Sequence, residues 1–120
     1  MGYLGHQITG DLYGCNSEVL RDCGRIEVSM NKAAELAKCT PVASVFHEFN
    51  PFGVSGVVVV QESHLAIHTW PEHGYAAVDI FTCGEIEPQE AFEFLTSFFE
   101  ASSISITELK RGSLWPRHPS

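Results

Sequence analysis

The sequence predicts an α+β fold, a two-layer α/β sandwich in which an antiparallel sheet carries two main helices packed on one face. Three observations lead there. Short strand-like apolar runs follow one another through residues 42–82 with only turns between them. Two segments with apolar residues at three- and four-residue spacing stand apart from those runs. At 120 residues the chain has the length of a single domain with a single core, residues 1–120.

The elements follow in order. Residues 3–14 alternate as a first strand, with Leu4, Ile8, Leu12 and Tyr13 as apolar content, and Asn16 or Ser17 offers a helix N-cap. Gly24 interrupts the next stretch, so the main helix is expected at about 25–38, where Ile26, Met30, Ala33, Ala34 and Ala37 form one face. Thr40-Pro41 ends it, because proline disfavours a helical residue before it. Val42 to Phe49 reads as a strand and Asn50-Pro51-Phe52-Gly53 as a turn. Val57 to Gln61, His64 to Trp70 and Tyr75 to Thr82 are three further strands, the last two separated by Pro71-Glu72-His73-Gly74. Pro88 suits a helix first turn, and Ala91, Phe92, Leu95, Phe98 and Phe99 form its apolar stripe. Ile104, Ile106 and Leu109 mark a final strand, and the tail from Ser113 is expected to be loop.

Composition narrows the function. Apolar residues make up 44% and charged residues 18%, as in a folded globular chain. Seven basic residues against fifteen acidic ones give a formal charge of −8, which disfavours nucleic acid and anionic membrane surfaces and leaves a cationic or zwitterionic small molecule as the easier partner. No run approaches the ~18–20 apolar residues of a membrane helix, and the N-terminus lacks the regions of a signal peptide, so a cytoplasmic location is expected. Cys15, Cys23, Cys39 and Cys83 form no CxxC pair and read as free thiols, the first three as packing residues.

The chemistry concentrates around Glu62-Ser63. Two apolar runs are joined there by polar residues without Gly or Asn, a poor match to the positive φ of tight hairpins, so a strained connection beside a serine hydroxyl is expected. If Trp70 pairs with Tyr75 across the next hairpin, the register sets Cys83 opposite Glu62, within ~5 Å of the junction. His68 lies five residues beyond Ser63, ~16 Å along an extended strand and on the opposite face, so it cannot serve its own Ser63. A hairpin centred on Glu62-Ser63 pairs Ser55 with Trp70 and leaves Ser55 a diagonal step from His68, giving a second cluster able to act on Ser63 of a partner chain. His64 and His68, ~13 Å apart on a strand, do not suit chelation, and no metal is expected.

The segment GVSGVVVVQESHLAIHTWPEHGYAAVDIFTCG resembles the core signature of bacterial and archaeal S-adenosylmethionine decarboxylases, a likeness that runs from Leu4-Gly5 through Tyr13-Gly14-Cys15 to Lys110-Arg111-Gly112. The resemblance implies a proenzyme in which Ser63 attacks the Glu62 carbonyl, the ester undergoes β-elimination, and Ser63 becomes a covalent pyruvoyl group. A β chain of 1–62 and an α chain of 63–120 result. The pyruvoyl binds the substrate amine as a Schiff base and takes up electrons as carbon dioxide leaves, with no separate cofactor. By the same resemblance His68 is the proton acceptor in processing, Ser55 assists it, Cys83 donates a proton in catalysis, and Phe49, Leu65 and Glu72 bind substrate. The substrate would be S-adenosylmethionine, the product an aminopropyl donor for spermidine and other polyamines, and the assembly a homodimer of αβ protomers with shared sites.

The chain departs from the family pattern at His6-Gln7, where a basic residue and His are usual, at Glu48, usually basic, and at Phe52. Glu48 would favour a more cationic ligand if it faced the pocket, although strand alternation turns it away from Phe49. The rival readings are a pyruvoyl-dependent arginine or ornithine decarboxylase on the same fold and a non-catalytic regulatory homologue. A plain serine or cysteine hydrolase is disfavoured because no nucleophile elbow is present.

Overall fold

The computed structural model describes residues 2–83 and 86–114. Six strands form one sheet: β1 (Tyr3–Tyr13), β2 (Pro41–Glu48), β3 (Val54–Val60), β4 (Ser63–Trp70), β5 (Tyr75–Thr82) and β6 (Ser103–Ser113). Their order is β2-β3-β4-β5-β1-β6, and every neighbouring pair is antiparallel. Helices α1 (Ser17–Leu20), α2 (Cys23–Leu36) and α3 (Pro88–Phe99) and a single 3-10 turn at Pro71–His73 complete the elements of the described residues.

Local chemistry explains the helix boundaries. Asn16 caps α1 by accepting from the N–H groups of Glu18 and Val19. Asp22 caps α2 through the Arg25 N–H, so α2 starts two residues before the expected 25 and holds Gly24 inside its first turn, where the cap outweighs glycine's low propensity. It stops at Leu36, ahead of Lys38 at φ 70°. Pro88 opens α3, and Glu100 at φ 56° ends it in the left-handed conformation. The last strand continues past Leu109 to Ser113, and residues 115–120 of the expected loop lie outside the described residues.

Alternation sorts each strand into a covered and an open face. On the covered face Ile8 and Leu12 of β1, Leu65 and Ile67 of β4, and Val78 and Ile80 of β5 meet Ile26, Met30 and Ala33 of α2 and Phe92, Leu95 and Phe99 of α3. Burying each large aliphatic or aromatic side chain stabilises the fold by ~1.5–3 kcal/mol. Gly10 suits this position, because a Cβ would press into the Phe92 ring. The open face has no helix among the described residues to cover it. Val45 is 69% exposed and Trp70 39% exposed there, and Tyr13, Tyr75, Trp70 and His68 form an aromatic row with successive centroids 5.4, 5.2 and 6.2 Å apart. Tyr75 donates its hydroxyl to Asp11 on the same face, and this bond and burial push its pKa up to about 12. No helix among the described residues is long and apolar enough to cross a membrane.

Candidate active site

The β3–β4 hairpin turns on Gln61 and Glu62, with Val60 paired to Ser63. Glu62 sits at φ 63°, in the left-handed region that a residue with a Cβ enters only at a cost of order 1–3 kcal/mol. Strain therefore falls on the residue whose carbonyl precedes Ser63. This turn is centred one residue earlier than the expected Glu62-Ser63 centre, and the register shifts accordingly. Ser55 pairs directly with His68 rather than with Trp70.

The β4–β5 ladder starts with Trp70 opposite Tyr75 and runs to Ser63 opposite Thr82, one step short of the Glu62 and Cys83 positions. Cys83 follows Thr82 immediately and is exposed. The Ser63 hydroxyl donates to Thr82 Oγ1 at 2.9 Å. Ser63 shares the alternation of Leu65 and Ile67 and so points to the helix-covered side at the rim of the sheet, whereas His68 points to the open face.

At the other end of β4 lies a second group. Ser55 Oγ and His68 Nδ1 are 2.7 Å apart, a bond that fixes the imidazole and leaves Nε2 for other partners. They open onto a cleft of about 250 Å³ whose walls include Phe49, Phe52, Trp70 and Glu72. The turn carrying Phe49 is closed by its N–H donating to the Gly53 carbonyl at 2.8 Å, and the His47 ring packs edge-on against Phe49 with centroids 4.5 Å apart. Ser55, His68, Phe49 and Glu72 thus converge, while Ser63 lies elsewhere, against Thr82, the residue before Cys83. The two groups are separated along β4 by ~16 Å.

The side chains of Leu65 and Glu48 do not line the cleft. Leu65 is 0% exposed and faces the helices, so its side chain belongs to the core and is not open to a ligand in the cleft. Glu48 lines a neighbouring depression with Cys23 and Arg21, which shares only the Phe52 wall with the cleft that Phe49 lines, as the strand alternation between Glu48 and Phe49 leads one to expect. The sequence alone does not mark Thr82, His47 or Trp70 as neighbours of these groups. The hairpin register that located Cys83 also pairs Ser63 with Thr82 and would have found it. His6, another departure, pairs through Nδ1 with Glu108 Oε2 at 2.9 Å. Among the described residues no three His, Cys, Asp or Glu side chains are placed to hold a metal ion.

The thiols differ sharply. Burial pushes Cys15 up to about 11 and also raises Cys39, while burial and then the carboxylates of Glu48, Glu27 and Asp22 raise Cys23. Alkylation with iodoacetamide at about pH 8 is expected to modify Cys83 first and Cys15 last, as followed by peptide mass spectrometry. Equal rates at Cys15 and Cys83 would contradict this arrangement.

A two-layer antiparallel sandwich whose central hairpin carries a strained Glu-Ser junction belongs, on comparison with known proteins, to the decarboxylases. The sequence model of S-adenosylmethionine decarboxylase matches residues 6–112. The S-adenosylmethionine decarboxylase proenzyme of Acidithiobacillus ferrooxidans is 52% identical over 95% of this chain and 86% of its own length. That of Moorella thermoacetica is 50% identical over 97% and 94%. The crystal structure of the adenosylmethionine decarboxylase from Aquifex aeolicus superposes with a TM-score of 0.86 at 30% identity over 100% of both chains. The Trypanosoma brucei AdoMetDC monomer, at 14% identity and a TM-score of 0.60 over 84% of this chain and 44% of that one, shares the fold. The chain belongs to the S-adenosylmethionine decarboxylase family.

Proposed function

We propose that the chain cleaves itself between Glu62 and Ser63 and then, as a homodimer, decarboxylates S-adenosylmethionine to the aminopropyl donor used in polyamine synthesis. The observation that carries the proposal is the Ser63 hydroxyl held beside a Glu62 at φ 63°, in a chain of this family. Attack of Ser63 Oγ on the Glu62 carbonyl forms an ester and breaks the peptide C–N bond, which relieves the turn strain. β-Elimination then passes the Cα proton of residue 63 to the processing base and breaks its Cβ–O bond, which frees Glu62 as a carboxylate, and hydrolysis of the resulting dehydroalanine releases ammonia and leaves a pyruvoyl group at position 63.

The residues fit that group. Ser63 is the first residue of β4, so a chain cut before it remains held by its ladder partner Thr82, which Cys83 follows directly in the chain. A pyruvoyl group supplies an electrophilic carbonyl that takes the substrate's α-amine and draws off the electrons left behind by carbon dioxide. Cys83 Sγ then has the role of returning a proton to the substrate carbon. His68, oriented by Ser55, accepts the proton during self-cleavage. Phe49 offers its ring to the adenine and Glu72 its carboxylate to the ribose hydroxyls.

The distance between the two groups supports a dimer. His68 lies too far from its own Ser63, so a second chain must bring the open face of its sheet, with His68, Ser55 and the cleft, to the first chain's junction. The uncovered apolar face is the surface such a partner would bury. Carbon dioxide release from S-adenosylmethionine, arginine and ornithine tests the reading. Turnover of S-adenosylmethionine alone is expected, and a preference for either amino acid would replace the substrate assignment while leaving the self-cleavage standing.

A further inference from the structure

We propose that Thr82 is a positioning residue for self-cleavage, holding the Ser63 hydroxyl in the orientation from which it attacks; this rests on the self-cleavage reading above. The two residues are direct cross-strand partners at the end of the β4–β5 ladder, and Ser63 Oγ donates to Thr82 Oγ1 at 2.9 Å. Thr82 is 2% exposed, so water competes little for that acceptor.

A serine side chain can occupy three staggered rotamers, and its hydroxyl hydrogen rotates freely unless it is bonded. Committing that hydrogen to Thr82 selects one rotamer and leaves the Oγ lone pairs of Ser63 for the attack. The other half of the reacting pair is the carbonyl of Glu62, the residue held at φ 63°. In the reaction a bond forms between Ser63 Oγ and the Glu62 carbonyl carbon, the bond from that carbon to the Ser63 nitrogen breaks, and the hydroxyl proton ends on that nitrogen. Thr82 is unchanged at the end. Its contribution is geometric, and positioning of reacting groups is where large rate factors arise.

Thr82→Val keeps the branched shape and strand preference while deleting the hydroxyl that accepts from Ser63. Thr82→Ser keeps the hydroxyl and deletes a methyl. In cell-free synthesis, with the cut fraction followed by intact mass against time, the valine variant is expected to cleave at least ~10-fold more slowly than the wild type and the serine variant within ~3-fold of it. Thermal unfolding of each variant reports the fold, and if the valine form is poorly folded, comparing Thr82→Ser with Thr82→Ala isolates the hydroxyl. A valine variant that cuts as fast as the wild type, or a serine variant as slow as valine, would overturn the role of Thr82 alone. An uncut wild type would overturn the self-cleavage reading and this inference with it.

Discussion

Ser63→Ala is expected to give a single uncut chain with no detectable carbon dioxide release from S-adenosylmethionine. Alanine has no nucleophile to attack the Glu62 carbonyl and no leaving group for β-elimination, so neither the cut nor the electrophile at position 63 can form. The fold should survive. Ser63 is half-buried at the rim of the sheet, and the neighbouring core is built by Leu65 and Ile67. The loss is one hydrogen bond to Thr82, worth ~1 kcal/mol. Gel or mass analysis of the purified variant, with its unfolding temperature, checks both halves. A Ser63→Ala chain that still divides after Glu62 would place the nucleophile elsewhere.

The second large effect concerns which chain supplies His68. His68→Ala alone should slow self-cleavage by ~10²–10⁴-fold, the usual contribution of a positioned base. Co-expression with Ser63→Ala should restore it in part. In a mixed dimer the Ser63 of the His68→Ala chain meets the His68 of the Ser63→Ala chain, so one complete site forms from two defective copies. Cut His68→Ala chains should then appear, identified by mass, and decarboxylation should return with them. If mixing leaves both variants uncut, the two groups on β4 act within one chain or His68 acts differently, and the shared site falls.

Strand order is legible in the sequence because alternation and turn residues agree along residues 42–82, although β3 begins at Val54 rather than Val57 and leaves Gln61 to the turn. The β4–β5 register follows from one hairpin, Trp70 opposite Tyr75, and carries correctly to Ser63 opposite Thr82. The β3–β4 register does not, because no residue type in Gln61-Glu62-Ser63 announces positive φ, and Glu62 adopts it without being Gly or Asn. That one-residue shift turns the expected diagonal Ser55–His68 relation into a direct bond of 2.7 Å. The burial of Leu65 is readable from its alternation with Ile67. The placement of β6 beside β1 is not, since pairing such as Ile8 opposite Glu108 depends on contacts far apart in sequence. The cleft joining Phe49 to Glu72 likewise needs two turns to meet in space, which the family resemblance implies but local pattern does not.

Intact mass spectrometry of the purified wild-type protein tests the central claim most directly. The account predicts two species, residues 1–62 ending in a free carboxylate and residues 63–120 lighter by one ammonia than the same fragment beginning with serine. One uncut chain, or a 63–120 fragment retaining the full serine mass, would contradict it.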